Sequence, residues 1–316
     1  MNTTDTPTTT PNGIPAATII IYRNCPDGGL PQVLMTVRSK GMAFAGGMAV
    51  FPGGRVDEAD FALADQMIAR GETALARDEA AHQIAAVRET LEETGLALGL
   101  AGDITAASAR EARAMLDEVG ALAPVLEAFG WRLDLDQITP FARWFPKNER
   151  IPRVYDTRFY LANLGTGAVD VSIDNSENTR LFWTSAKGAL EAADRGEIQL
   201  IFPTRRNLER LALFASFEEA RAQALAIPVR TIVPQVDTSG DAPMLRIMED
   251  AGYPITSELL ESLITMIRDR EKAQRQLRAL TGETRISALV LAVLPMSLAA
   301  YIFVTNPSFI MGLWYE

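Results

Sequence analysis

RETLEETGL, residues 88–96, predicts the last turns of a helix with three acidic side chains on one face. Residues three and four positions apart share a helix face, so Glu89, Glu92 and Glu93 fall within an arc of roughly 100°. Apolar residues fall on the opposite side of the same pattern: Ile84, Val87, Leu91 and Leu98. Carboxylates this close repel one another, and a bound cation offsets the repulsion. Because oxygen ligands favour hard ions, the pattern predicts Mg²⁺ or Mn²⁺ at these three glutamates.

The alternative interpretation is a solvated helix face, because charge runs on helices usually face water. Two neighbouring residues favour a functional cluster instead. Arg88 can pair with an adjacent carboxylate, and Gly95 stands where a helix can end. Together, residues 88–96 resemble the second half of the Nudix box, Arg-Glu-apolar-x-Glu-Glu-x-Gly-apolar, with Thr90 at an apolar position. The stretch is therefore similar to the signature of the Nudix hydrolases.

Phe51-Pro52-Gly53-Gly54 predicts a strand that ends at a glycine turn, ahead of the acidic helix. Glycine lets backbone N–H groups approach a phosphate or a metal-bound water, although structural glycines are more common. In this position the turn resembles the opening of the Nudix box. Gly54 precedes Arg88 by 34 residues, about twenty more than in the usual box. The sequence therefore predicts an insertion inside the box.

The inserted segment, residues 56–79, predicts a helix with an acidic start. The usual box also has a first glutamate ahead of the arginine, and we find no counterpart of it in register. Asp57, Asp60 and Glu79 are the candidates for the carboxylate that orients Arg88. The sequence leaves the choice among them open.

Residues 34–54, LMTVRSKGMAFAGGMAVFPGG, resemble the coenzyme A signature of the Nudix coenzyme A diphosphatases of the peroxisomal type and their bacterial relatives. The residues in register are Leu34, Thr36, Arg38, Ser39, Gly47 and Phe51–Gly54. Met35 replaces a leucine, and Ala43 stands where a second arginine belongs. A bidentate arginine contact with phosphate is hard to replace, so Ala43 counts against coenzyme A but not against diphosphatase chemistry.

Two later segments, Thr139–Trp144 and Arg153–Leu164, predict strands and resemble motifs of the same group. Their arginines, Arg143, Arg153 and Arg158, are either contacts for an anionic substrate or structural arginines in surface ion pairs. The sequence leaves both interpretations open.

Glu177 precedes a predicted tryptophan-containing strand and resembles a late acidic element of the family. The resemblance makes it a candidate extra ligand or base. Periodicity predicts the remaining elements: strands 16–22, 32–37 and 229–236, and helices 104–119, 122–129, 186–195 and 207–226.

Composition excludes several classes of function. The net charge of −10 argues against a general nucleic-acid-binding protein, which needs a basic stripe. Cys25 is the only cysteine, which excludes an internal disulfide and a cysteine zinc site and favours a reducing compartment. His82 is the only histidine, so a histidine-based metal site or a Ser-His triad is not expected.

The composition changes after about Ser257. Residues 257–285 predict a charged amphipathic helix. Residues 286–315 carry no charged side chain, and this length exceeds the roughly 20 residues that cross a bilayer. Basic residues before the stretch and Trp314 and Tyr315 at its end orient such a span with its start in the cytoplasm. A buried core helix is the alternative. The tail resembles a membrane segment of the type II secretion system F family.

We therefore expect an α/β protein: a Nudix α/β/α sandwich with a mixed sheet and extra helices, plus a C-terminal transmembrane helix. Four regions are expected: a disordered tail at 1–13, a Nudix domain at 14–256, an amphipathic helix at 257–285 and a membrane segment at 286–316. The catalytic domain would lie in the cytoplasm, anchored by the tail to a bacterial inner membrane.

The resemblance implies metal-dependent hydrolysis of a nucleoside diphosphate linkage, with coenzyme A or acyl-CoA as substrate. Glu89, Arg88 and Glu92 would be catalytic, and Glu89, Glu92 and Glu93 would hold Mg²⁺ or Mn²⁺. The substrate contacts implied are Arg38, Gly53, Gly54, Arg143 and Arg158. Alternatives are another nucleotide derivative, such as ADP-ribose or a dinucleotide, and a non-catalytic membrane-anchored scaffold.

Overall fold

The first strand, β1 (Ile14–Arg23), sends alternate side chains into two different cores. Ile19 and Ile21 pack into one core, and Ile20 and Tyr22 pack into the other. Successive residues of a strand point to opposite faces, so both faces of this sheet are covered. The structure is a computed structural model that describes residues 13–25, 27–39, 45–146, 154–164, 178–240 and 242–259.

Eight strands form one mixed sheet in the described part of the chain. Their bounds, after β1, are β2 Gln32–Arg38, β3 Ala49–Val50, β4 Gly53–Arg55, β7 Thr139–Trp144, β8 Tyr155–Asn163, β9 Asn178–Ser185 and β10 Thr231–Ile232. The order is β10-β7-β8-β1-β2-β3, with β4 paired to β1 and β9 paired to β2. Strand β1 is parallel to β8 and antiparallel to β2 and β4. A separate pair consists of β5 (Leu100–Ala101) and β6 (Arg132–Leu133).

Helices cover both faces of this sheet. Their bounds are α1 Glu58–Ala69, α2 Arg77–Thr94, α3 Ala106–Val119, α4 Leu122–Phe129, α5 Ala186–Asp194, α6 Phe202–Leu211 and α7 Phe217–Ala226. Apolar residues of α1 to α4 share the core with Ile19, and those of α5 to α7 share the core with Ile20. The expected α/β architecture, with a mixed sheet and extra helices, is confirmed.

Three predicted elements were wrong in their extent. Helix 207–226 is two helices, because Ser216 caps the start of α7 by accepting the Glu219 amide. Strand 229–236 is divided at Pro234, which has no N–H to donate to a sheet. The inserted segment 56–79 is not one helix: α1 ends at Ala69, and Glu79 belongs to α2.

The chain consists of two compact units. The first comprises residues up to Gln235 together with Arg246–Ser257, and the second comprises Val236–Leu245 together with residues from Glu258 onward. A three-stranded sheet in the order β11-β12-β13 uses Gln235–Asp237, Met244–Arg246 and Ser257–Leu259.

The predicted amphipathic helix and membrane segment lie outside the described residues, apart from the first three residues of the helix, which form β13. No helix in the described ranges has the length and apolar character that a bilayer crossing requires. The disordered tail lies outside the described residues up to position 12. The membrane span and the resemblance to the secretion family stay predictions.

Two buried tyrosines in the first unit make a matched test of hydrogen bonding in the core. The Tyr253 hydroxyl donates to Asn207 Oδ1 at 2.6 Å and accepts from the Trp144 indole N–H at 3.0 Å. The buried Tyr22 hydroxyl has no hydrogen-bond partner among the residues described. We expect Tyr253→Phe to lower the free energy of unfolding by about 1–3 kcal/mol, because two buried polar groups lose their partner. Tyr22→Phe should leave the free energy of unfolding unchanged when both variants are measured by urea denaturation. Equal losses of stability in the two variants would contradict this account.

Candidate active site

Helix α2 carries the predicted acidic cluster at its C-terminal end. Ile84, Val87 and Leu91 are completely buried against the sheet, as the periodicity predicted. The helix ends at Gly95, whose φ of 74° is the left-handed conformation that glycine adopts without steric cost. The amide of Gly95 donates to the Leu91 carbonyl. The predicted helix and its end are confirmed.

Arg88 is 4% exposed and lies at the centre of a buried network. Its Nε donates to Asp60 Oδ1 at 3.1 Å, and its Nη2 donates to Asp60 Oδ2 at 3.0 Å and to the Arg55 carbonyl at 2.8 Å. Its Nη1 donates to Glu89 Oε1 and to Glu92 Oε2, both at 3.0 Å. Burial alone lowers the pKa of Arg88, but these carboxylates raise it overall. The arginine thus stays charged and fixes two of the three glutamates.

Asp60, at 1% exposure, is the carboxylate that orients Arg88. Asp57 lies farther away, with Oδ2 at 3.6 Å from Nη2 of Arg88. Glu79 instead accepts hydrogen bonds from Arg158 and Tyr160. Asp60 also accepts the Asp57 amide at 2.9 Å, which closes the first turn of α1. The sequence shows the D-x-x-D start of α1. Predicting that Asp60 is the partner of Arg88 also requires knowing that α1 packs on α2.

The glycine turn lies against the carboxylates of Glu93 and Glu89. The Gly53 amide donates to Glu93 Oε2 at 3.0 Å, and Glu93 is 4% exposed. A Cβ on Gly54 would lie 2.3 Å from Oε1 of Glu89, so only glycine lets that carboxylate approach the backbone. Burial, together with the nearby Glu93 and Glu92 and against the effect of Arg88, raises the pKa of Glu89 to about 8. A fully solvated face is therefore the wrong interpretation of these glutamates.

The donor chemistry fits a hard divalent cation, because three carboxylates lie at one end of helix α2. Among the described residues, no group of three or more acidic, histidine or cysteine side chains is placed so that it could hold a metal ion. Glu89 and Glu92 contact Arg88, and Glu93 contacts the Gly53 amide. Metal binding at Glu89, Glu92 and Glu93 stays a prediction.

Thr90, which departs from the apolar position of the box, is completely buried. Its hydroxyl donates to the Ala86 carbonyl one turn earlier at 2.6 Å. The polar group is therefore satisfied within the helix, and its methyl group remains free to pack. This departure leaves the helix intact.

Arg143 and Arg158 are directly opposite each other on β7 and β8. Arg143 donates to Asp156 at 2.8 and 2.6 Å, and Arg158 forms ion pairs with Glu79 and Asp78. Glu79 lies ten residues before Glu89, or about 15 Å along the helix axis. The ion pairs favour the structural interpretation of these arginines.

The structure places other predicted site residues as follows. Arg38 ends β2, where its amide donates to the Met48 carbonyl. Ala43, Arg153 and Glu177 lie outside the described residues. Buried His82 contacts the Asp78 carbonyl through Nδ1 at 2.6 Å.

Arg113, which sequence reasoning missed, donates to backbone oxygens at the end of α2. Its role depends on the packing of α3 and has no local sequence signal.

A Nudix hydrolase of known structure, from Alicyclobacillus acidocaldarius, matches this chain with a TM-score of 0.58. The match covers 67% of this chain and 96% of that protein, at 28% sequence identity. The chain has a Nudix fold. No family model matches the sequence.

The Nudix-fold chain also resembles a curated protein, the acyl-coenzyme A diphosphatase NUDT19 of Gallus gallus, at 29% identity. The alignment covers 45% of this chain and 43% of that relative, so it spans less than half of the relative's length. Both relatives are named as enzymes that hydrolyse their substrates, and they support a Nudix-type pyrophosphohydrolase.

Proposed function

We propose that this chain is a metal-dependent Nudix-type pyrophosphohydrolase that cleaves the diphosphate linkage of a nucleoside diphosphate derivative. One observation carries the proposal. Buried Arg88 holds Glu89 and Glu92, while the glycine turn contacts Glu89 and Glu93 at the end of the same helix. Arg88 and Glu93 are each 4% exposed, and charged groups buried to this extent are costly unless they are mutually paired or used in binding.

Each residue of the cluster has a distinct part in the proposed reaction. Glu89, Glu92 and Glu93 would hold Mg²⁺ or Mn²⁺, and Arg88 keeps the first two in a fixed orientation. When bound, such an ion neutralises charge on the diphosphate and acidifies a water molecule. Water attacks one phosphorus atom, the P–O bond to the bridging oxygen breaks, and a carboxylate accepts the proton from the water.

Coenzyme A or acyl-CoA is the first substrate class that we propose. It is supported by the signature residues from Leu34 to Gly54 and by the name of the avian relative. Arg38, Gly53 and Gly54 are the proposed contacts near the cluster, and Arg143 and Arg158 would have to exchange a carboxylate partner for substrate. ADP-ribose and dinucleotides are the competing substrates. Anchoring of a cytoplasmic enzyme to the membrane by residues 286–316 remains part of the proposal.

The test is turnover by the full-length protein with Mg²⁺ or Mn²⁺ on coenzyme A, acyl-CoA, ADP-ribose and dinucleotides, with products separated by chromatography. We expect cleavage that requires the cation. Glu92→Gln and Glu93→Gln should each slow it about 100-fold or more, since loss of about 3 kcal/mol of transition-state stabilisation has that effect. Glu111→Gln on α3, an exposed position, is the matched control and should keep full activity.

Three outcomes would change the proposal. Full metal-dependent activity in both glutamate variants would exclude the proposed mechanism. Cleavage of the other substrates but not coenzyme A would keep the chemistry and replace the substrate class. No cleavage of any substrate would favour the non-catalytic scaffold.

A further inference from the structure

Arg113 connects helix α3 to the end of α2 that carries Glu92 and Glu93. Its Nε donates to the Glu92 carbonyl oxygen at 2.8 Å, and its Nη2 donates to the Glu93 carbonyl oxygen at 3.5 Å. Its side chain is half-buried between the two helices. Arg113 therefore contacts the backbone of two proposed metal ligands.

These two carbonyls belong to the last turn of the helix, where carbonyl groups have no intrahelical donor. The Gly95 amide takes the Leu91 carbonyl, and the chain then leaves the helix in the left-handed conformation of Gly95. Donors for Glu92 and Glu93 must come from elsewhere, and Arg113 supplies them. A cation at a helix C-terminus is also favourable because it faces the negative end of the helix dipole.

We propose that Arg113 is a positioning residue that sets the metal affinity of the glutamate cluster by fixing the backbone beneath Glu92 and Glu93. The inference rests on the proposed function, in which these glutamates hold the cation. Side chains that orient metal ligands from behind commonly change metal affinity 10- to 100-fold when they are removed. Arg113 contacts the backbone of two ligands at once, so its loss would loosen the end of the helix beneath both of them.

A purely structural role would give a different result, and the chain offers a matched control. Arg77 lies at the opposite end of α2 and pairs with Asp65 of α1, with Nε donating to Oδ1 at 2.7 Å. Like Arg113, it connects α2 to a neighbouring helix. Unlike Arg113, it lies at the start of the helix, far from the glutamates. Loss of metal affinity in both variants would indicate general loosening of the helix.

The experiment is calorimetric titration of Mn²⁺ into the full-length wild-type protein and into the Arg113→Gln, Arg113→Lys and Arg77→Gln variants. We expect Arg113→Gln to raise the Kd for Mn²⁺ at least about 10-fold. Arg113→Lys keeps the positive charge and a single donor nitrogen, so it should recover part of the affinity for Mn²⁺. Arg77→Gln should bind like wild type. Turnover at saturating Mn²⁺ should fall less than turnover at limiting Mn²⁺ in Arg113→Gln.

A wild-type Kd in Arg113→Gln would overturn the inference and leave the proposed function standing. Equal weakening in Arg77→Gln would overturn it too, since helix integrity would then be the cause. If the wild-type protein neither binds Mn²⁺ nor turns over substrate, the proposed function fails and the inference fails with it. The thermal midpoints of all four proteins show which variants remain folded.

Discussion

Arg88→Met is expected to lower the free energy of unfolding by about 3–5 kcal/mol, because removing one partner of a buried ion pair leaves the other charge uncompensated. Asp60 would be left in the interior without its guanidinium partner. Glu89 and Glu92 would also lose the group that separates their charges. Urea denaturation followed by tryptophan fluorescence measures the change.

Two further variants make the result specific. Arg77→Met removes an exposed arginine from the same helix and should leave the urea midpoint unchanged. Arg88→Met combined with Asp60→Leu removes both buried charges and should recover part of the lost stability, since an apolar pair can replace a buried ion pair. If Arg88→Met cost no more than Arg77→Met, the buried network would not be a source of stability.

Gly54→Ala is expected to reduce metal-dependent turnover about 100-fold, because the added Cβ would displace the Glu89 carboxylate. That Cβ would lie 2.3 Å from Oε1 and 2.4 Å from Cδ of Glu89, far inside van der Waals contact. A displacement of about 1 Å in a catalytic group commonly has an effect of this size. Steady-state rates at saturating and limiting metal measure it.

The control for Gly54→Ala is Gly240→Ala, where an added Cβ meets nothing within 4 Å. Neither glycine has a φ that an alanine would avoid, so the two variants differ in contact and not in backbone strain. The free energies of unfolding of the two variants can also be compared in a Glu89→Ala background. Any loss of stability that Gly54→Ala causes should largely disappear there. Persistence of the full cost there would mean that Glu89 is not the group that excludes a side chain.

Local features of the acidic helix could be predicted from sequence. The face shared by Glu89, Glu92 and Glu93 follows from helical periodicity, and the helix end follows from Gly95. Strands β1 and β2 were also predictable, because their apolar runs are flanked by turn residues. These features depend on neighbours within a few positions.

The partners of the site residues could not be predicted in the same way. Asp60 and Arg113 reach α2 from separate helices, 28 and 20 residues away in sequence from the groups they contact. Arg143 and Arg158 meet through strand register, and their acidic partners lie on β8 and α2. Charge and hydrophobicity patterns do not encode such pairings. Sequence therefore predicted the acidic face of the helix better than the groups that contact it.

The parallel pairing of β1 with β8 has a consequence for how the protein is made. Nine consecutive residue pairs, from Ile14↔Tyr155 to Tyr22↔Asn163, join segments about 140 residues apart. During synthesis on the ribosome, β1 can pair with β2 and β4 early, but its edge toward β8 stays unpaired until about 140 more residues have been made. Contacts this distant in sequence slow folding, because a long loop must close before they form. Until β8 is made, this unpaired strand edge and the apolar side chains beside it are a site where unfinished chains can aggregate.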